Sequence, residues 1–321
     1  VGRRLTASVV LGAIALAGGA GSRATAQQGP RARVYATLVS HNEEAISNPP
    51  CAPVVTSRER YLANRAAVVD TARLVVERGG AWDFQSEWQY LQAVASWDDD
   101  AVRGDTEGKN VVRWLAELAP DRIAVDAHSH ERSGWNYADV AHALVQLGVP
   151  TTGIVGGFTA SPVELESWTR LRAPLVGRRP PFPVWQAQAL WGGASPGHRD
   201  DPRASGVWRP RDAAHYFEDD PASTLPNIGG WTAGVASGDG LATLLDLLRT
   251  NRLEPGRMYT ATIMIPQCEL DSDPKLQPAI AAILDRFAPD VATGDLVWAT
   301  LPSVLRTWRE EYAQVPVVVR P

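Results

Sequence analysis

The sequence predicts an α/β chain folded as a distorted (β/α) barrel of about seven strands, and three observations carry that expectation. Short apolar runs alternate with stretches of helical periodicity along almost the whole chain, the pattern of parallel strands joined by crossover helices. The most polar clusters fall directly after strand candidates, where barrel enzymes assemble their sites. The length of 321 residues, without an internal repeat, a low-complexity tract or an obvious linker, suits one barrel, which routinely uses about 200 to 250 residues or more as a single domain.

The first 26 residues stand apart from this alternation. Arg3 and Arg4 precede an uncharged apolar stretch from Ala7 to Ala20, and Ala24-Thr25-Ala26 has the small-x-small form of a cleavage site. A signal peptide over 1–26 and a secreted or periplasmic barrel domain over 27–321 are therefore expected. The apolar stretch is shorter than the roughly 20 residues a membrane span needs, so no membrane contact is expected after cleavage. Val34 to Val39 reads as the first strand and Arg58 to Arg78 as a helix, with Tyr61, Leu62, Ala66, Val69 and Ala72 on its apolar face. Trp82 to Phe84 is a second strand, Glu87 to Val94 and Asn110 to Leu118 are helical, and Ile123 to Asp126 is a third strand. Val140 to Leu147 is a helix closed by Gly148. Further strands are read at Thr151 to Val155, Val184 to Ala189, Tyr259 to Ile265 and Leu296 to Ala299, separated by helices at Val163 to Leu171, Leu241 to Arg249 and Leu276 to Phe287. Trp191 to Ile228 lacks apolar periodicity and is read as a long loop layer over the strand ends, and loops of that size usually serve function.

Charge and cysteine content narrow the function classes. Removing Arg3, Arg4 and Arg23 with the leader leaves 28 basic against 36 acidic side chains, a formal charge of −8 in place of −5. No basic face is implied, and nucleic acid is not an expected partner, because its binding rests on Lys and Arg neutralising phosphates. Cys51 and Cys268 are the only cysteines. In an exported chain such a pair suits a disulfide, with two buried thiols as the alternative, and the spacing is wrong for a cysteine zinc site.

The chemistry concentrates at the strand ends. In Asp126-Ala127-His128-Ser129-His130-Glu131 the alternate residues of an extended segment project to one side, so Asp126, His128 and His130 are candidate ligands of a divalent metal. His41, in Ser40-His41-Asn42-Glu43-Glu44 after the first strand, is a further candidate ligand, and Glu43 or Glu44 is the expected general base. Gln85 and Glu87, after the second strand, are expected to bind substrate hydroxyls or to fix a ligating histidine in its tautomer. Twelve tryptophans include Trp135, Trp191, Trp208 and Trp231 near the presumed loop layer. Indole faces suit the apolar faces of sugar rings, so Trp135, Trp191 and Trp208 are expected to contact a saccharide. Arg209, in Gly206-Val207-Trp208-Arg209-Pro210, is placed to steady a base or an oxyanion. The chain has no G-x-S-x-G elbow and no His-Glu-x-x-His, which disfavours a serine α/β-hydrolase.

These motifs together resemble the polysaccharide deacetylase-like (NodB-type) part of the glycoside hydrolase/deacetylase superfamily. Ser40 to Glu44 stands where that family carries an acidic motif, Asp126 to Glu131 where it carries two metal-binding histidines, and Gly206 to Pro210 is similar to its arginine-proline motif. The family's paired aspartates are replaced here by His41, Asn42, Glu43 and Glu44. Its histidines stand four residues apart, a spacing kept here by Asp126 and His130. The resemblance implies a secreted hydrolase, with zinc as the expected metal, that removes an acyl group from a carbohydrate. An amidohydrolase or PHP-type metallohydrolase, a carboxylate-dependent glycosidase and a non-catalytic carbohydrate-binding barrel are the alternatives.

Overall fold

A computed structural model describes residues 31–43, 56–131, 133–156, 167–192, 204–212, 214–231 and 233–320. The expected signal peptide, Glu44, Cys51, His198 to Asp201 and the first residues of the helix read at Val163 to Leu171 lie outside them. In chain order the elements of the first half are β1 (Arg33–Asn42), α1 (Arg58–Glu77), β2 (Trp82–Ser86), α2 (Trp88–Trp97), α3 (Val111–Leu118), β3 (Ile123–His128), α4 (Tyr137–Gln146) and β4 (Ile154–Gly156). There follow β5 (Leu175–Val176), β6 (Val184–Trp185), β7 (Ala189–Gly192), β8 (Val207–Trp208), β9 (Asn227–Gly229), β10 (Ala233–Gly234), α5 (Asp239–Arg249), β11 (Met258–Pro266), α6 (Leu276–Thr293), β12 (Leu296–Trp298) and α7 (Leu301–Glu310).

One sheet runs β10-β11-β1-β2-β3-β4-β7-β9-β8, with β12 also paired to β1. Its neighbours are parallel except β8 against β9. The sheet curls until its far end meets β11. Thr262 donates its N–H to Gly230 O at 2.5 Å, and Thr260 Oγ1 bridges Gly229 O at 2.5 Å and the Gly206 N–H at 2.8 Å. The result is a distorted (β/α) barrel, as expected, with more strands than expected because the stretch after Ala189 contributes several two- to four-residue pieces. The run read as one strand from Val184 to Ala189 is divided between the β5–β6 hairpin and β7.

Strand alternation separates two cores. Val34, Ala36 and Leu38 of β1 face outward under the helices. Tyr35 and Val39 face inward with Ile154, Ala189, Trp191, Val207, Ile228 and Met258. Leu301, Val304, Leu305 and Trp308 of α7 join this inner cluster and fill the barrel. The outer layer fixes α2, whose first residue sits beside the candidate site. Asp98, at the end of α2, accepts from Tyr61 Oη at 3.0 Å, Arg65 Nε at 3.1 Å and the Val111 N–H at 2.8 Å. A buried carboxylate held by three donors ties α1, α2 and α3 together at the cost of its own desolvation.

Cys268 is disulfide-bonded. Among the described residues no helix is long and apolar enough to cross a membrane.

Candidate metal centre

The strands run further than their apolar runs suggested, and this places the site. β1 continues to Asn42, so His41 lies on the strand, in register with Gln85 of β2. β3 ends at His128, in register with Gly156 of β4. The His41 and His128 rings stack with centroids 4.0 Å apart, and His130 meets His128 edge-on at 4.9 Å. Glu43 stands among all three. Its Oε2 is 3.0 Å from His130 Nε2, and its Oε1 is 3.5 Å from His41 Nδ1 and 4.0 Å from His128 Nε2. Glu87 closes the other side, with Oε1 3.8 Å from His128 Nε2 and accepting the His130 backbone N–H at 3.0 Å. Two overlapping ligand sets result: His41, Glu43 and His128, and Glu87, His128 and His130.

Hydrogen bonds behind the rings set their tautomers. His128 Nδ1 is 2.7 Å from Gly156 O, which can only accept, so Nδ1 carries the proton and Nε2 presents its lone pair to the carboxylates. Burial, ahead of the charges of His41 and His130, holds the His128 imidazole well below its ordinary pKa, which keeps it neutral. Gly156 O also accepts from Tyr137 Oη at 2.8 Å. His41 Nε2 lies 2.6 Å from Gln85 Oε1, leaving Nδ1 turned to Glu43. Burial raises the Glu43 carboxyl, but hydrogen bonds from His130 and His41 and the nearby imidazoles outweigh it and hold the group far below the usual carboxylate range.

Whether a metal fits is decided by the atoms left over. His128 Nε2 and Glu87 Oε2 are buried and have no hydrogen-bond partner among the described residues. Both are acceptors, and buried acceptors left unanswered call for a donor or a cation. The imidazole and carboxylate donor set is that of a divalent metal such as zinc.

Asp126 takes a different place from the one its spacing suggested. It shares the inward face with His128 but lies one strand step deeper, out of both ligand sets, and its carboxyl is hydrogen-bonded to that of Asp83. Burial, then the charge of Asp83, pushes the Asp126 carboxyl well up, and burial also raises Asp83. Asp83 is the better anion of the two, since its Oδ2 accepts the Leu301 N–H at 3.1 Å. Protonation is thus favoured on the Asp126 side of the pair, beneath the histidines.

Glu131, at the end of the motif, has φ of 56° and turns away to Arg170 Nη2 at 2.6 Å and Arg178 Nη2 at 2.7 Å. It anchors the loop that carries His130. Arg209 forms a two-point pair with Asp219, Nε to Oδ1 at 3.0 Å and Nη2 to Oδ2 at 2.7 Å, and lies over Trp308. None of these partners belongs to the histidine–glutamate cluster. Trp208 is buried, with Nε1 donating to Tyr216 O at 2.6 Å, and cannot offer a face to a sugar. Trp191 is equally buried and meets the His41 ring edge-on at 5.5 Å, so it walls the centre and does not stack on a ligand. Trp135 is half-buried at the rim, stacked on Trp88 at 5.2 Å and 2° with Arg179 over its ring. Gln85 and Glu87 are both at the centre, Gln85 behind His41 and Glu87 in a ligand set.

Sequence reasoning passed over Asp83, Tyr137, Gly156 and Trp88. The alternation Asp83-x-Gln85 leading into Glu87 was the available sign for Asp83, since it repeats the inward-facing polar pattern of Asp126-x-His128 on the neighbouring strand. Nothing local marks Gly156 or Tyr137, whose roles arise only when β4 and α4 meet β3.

No family model matches the chain, and no curated protein matches it. Among solved structures it is similar to a Mycobacterium smegmatis protein described as a polysaccharide deacetylase, at 11% identity and a TM-score of 0.45, covering 92% of this chain and 99% of that one. It is also similar to a Parabacteroides distasonis protein described as a glycoside hydrolase/deacetylase, at 11% identity and a TM-score of 0.44, covering 88% of this chain and 72% of that one. A third likeness is to 4-alpha-glucanotransferase from Thermococcus litoralis, at 8% identity and a TM-score of 0.47, covering 91% of this chain and 42% of that one.

Proposed function

We propose that this chain is a metal-dependent hydrolase that removes an acyl group from a saccharide. The observation that carries the reading is the convergence of three histidines and two glutamates around His128 Nε2, a buried acceptor that a cation would satisfy. His128, His130 and Glu87 are the proposed holders of the ion, with zinc as the metal that the donor set favours. A divalent metal acts as a Lewis acid on an ester or amide carbonyl and lowers the pKa of water.

The protein's own groups do the rest. His130 Nε2 stands 3.0 Å from the Glu43 carboxylate, which accepts from it. Glu43, kept ionised by the surrounding imidazoles, accepts the proton of the attacking water and returns it to the leaving oxygen or nitrogen as the acyl bond breaks. His41, fixed by Gln85, aims Nδ1 at the other oxygen of Glu43. The half-buried pair Trp88 and Trp135 beside the mouth supports a sugar as the group bound there.

Acetate release from acetylated oligosaccharides, before chelation, after it and after zinc is returned, tests the proposal. Turnover lost with the metal and restored by it is the expected result. Full turnover by the chelated protein overturns the reading, and cleavage of glycosidic bonds by metal-free protein would transfer Glu43 and Glu87 to glycosidase chemistry. Export belongs to the same reading and rests on residues 1–26. N-terminal sequencing of protein recovered outside the cytoplasm should find the chain beginning after Ala26, and an intact leader there would contradict it.

A further inference from the structure

The β5–β6 hairpin carries apolar side chains on both of its faces, and only one face is covered. In its antiparallel register Leu175 pairs with Trp185 and Val176 with Val184, so strand alternation sends the two pairs to opposite sides. Leu175 and Trp185 pack inward, where the Trp185 ring lies against Tyr137 at 5.9 Å. Val176 and Val184 are turned to water, 56% and 70% exposed, and Phe182 in the connecting loop is 56% exposed. An apolar side chain exposed singly is ordinary, but three on one short hairpin form a patch of the kind that marks an interaction surface.

The loop is built to hold this patch out. Asp139, buried on α4, accepts the Arg178 and Arg179 N–H groups at 3.0 and 3.1 Å, and Asn136 Nδ2 donates to Val176 O at 2.9 Å. The Gly177 N–H donates to Pro183 O at 2.7 Å and the Phe182 N–H to Arg179 O at 2.6 Å. Phe182 has φ of 58°, a left-handed backbone that is costly for a bulky residue. Burial does not offset that cost, because the residue is exposed.

The charge around the patch narrows the partner. Residues 167–188 carry Arg170, Arg172, Arg178 and Arg179 and no acidic residue, in a chain of net charge −5. Against them stand Glu131, paired with Arg170 and Arg178, and the buried Asp139. Arg172 donates to the carbonyls of Pro210 and Arg211. Arg179 is exposed and lies over Trp135 at 4.7 Å, and no carboxylate pairs with it among the described residues. A soluble polyanion would engage the arginines and leave the valines and the phenylalanine in water. A symmetric second copy would cover the apolar side chains but set arginine against arginine. A bilayer surface with anionic headgroups answers both, taking apolar side chains at the acyl boundary and guanidinium groups at the phosphates.

We infer that the β5–β6 hairpin docks this protein on a membrane surface rich in anionic phospholipid, with Val176, Phe182 and Val184 entering the headgroup region and Arg179 meeting phosphate. Such a contact needs no membrane-crossing segment, and it revises the expectation that membrane contact ends when the leader is cleaved. It does not rest on the acyl-saccharide reading.

The test is sedimentation of the protein, as recovered after export, with sucrose-loaded vesicles of phosphatidylcholine alone or of phosphatidylcholine and phosphatidylglycerol in equal parts. Wild type is compared with Phe182→Asn, Val184→Thr and Arg179→Gln. Asparagine accepts a left-handed backbone and threonine keeps the β-branch that suits a strand, so each of these two variants removes apolar surface by a different route and either one suffices if the other fails to fold. Wild type should bind the mixed vesicles and not the neutral ones. Phe182→Asn should weaken binding by about tenfold or more and Val184→Thr by about fourfold, the scales of one apolar side chain and one methyl group. Arg179→Gln should weaken it by about fivefold and make it less sensitive to salt. No binding to the mixed vesicles, or equal binding to both kinds, overturns the inference. So does binding that Phe182→Asn and Val184→Thr leave unchanged, which would assign the contact to charge alone or to a retained leader. A wild-type dimer that Phe182→Asn dissociates, without vesicle binding, overturns it in favour of a second copy.

Discussion

Replacing Gly156 with alanine puts a methyl group where the metal centre has no room for one. An ideal Cβ there would stand 2.5 Å from Gln85 Oε1, 2.7 Å from Gln85 Cδ and 3.0 Å from Ala127 O. Ala127 is paired with β4 and cannot yield, so Gln85 must move. Gln85 Oε1 is the partner of His41 Nε2, and its departure leaves a buried donor unanswered, a cost of about 1–3 kcal/mol. Overpacking adds about 1–3 kcal/mol. A loss of about 2–6 kcal/mol in all corresponds to a Tm fall of roughly 4–24 °C in a chain of this size. Disturbing an outer-shell partner should also weaken metal binding by about 10–100-fold. Scanning calorimetry and a competitive zinc titration read the two effects. Gly104→Ala, where the added Cβ meets nothing within 4 Å, is the control and should match wild type in both. Wild-type Tm and zinc affinity in Gly156→Ala would refute the packing argument and the role given to Gln85.

Asp126→Asn keeps a donor to Asp83 while removing the group that titrates. Burial and Asp83 raise the Asp126 pKa, so its contribution to stability is full below the unfolded carboxylate pKa and is lost as pH rises through the folded one. The asparagine variant should therefore gain on wild type in Tm as pH rises, and a gap that stays constant or narrows would refute a shared proton. Glu43 has the opposite sign. Held low against burial, its stabilisation is present above the unfolded carboxylate pKa and lost on acidification, so Glu43→Gln should flatten the acid limb of the metal-free protein's stability curve. Arg209→Ala breaks a two-point pair with Asp219 and should cost about 1–3 kcal/mol of stability while zinc affinity is unchanged. A tenfold loss of zinc affinity there would return Arg209 to the centre.

Residues that share a strand face were legible in the sequence, because alternation is a local property. His128 with His130 and the polar ends of the first three strands could be read from it. Depth was not legible. Asp126 shares a side with His128, yet one strand step of about 6–7 Å separates the ligand layer from the carboxyl pair beneath it. The N-cap Asn136 and its Asp139 partner were a visible start signal for α4, three residues ahead of the apolar run that was read. Tryptophans can be counted in a sequence, but their exposure depends on the sheet's closure. Trp191 and Trp208 became interior because short strands after β6 closed the barrel through Thr260 and Thr262. Arg209 found its partner ten residues later, in a contact that only the tertiary turn brings about.

Elemental analysis of wild type and His128→Ala after dialysis against zinc shows whether His128 and its neighbours hold one divalent cation. About one equivalent is expected in wild type and none in a variant that remains folded by circular dichroism. Folded wild type without metal, or a variant that keeps its full equivalent, would contradict it.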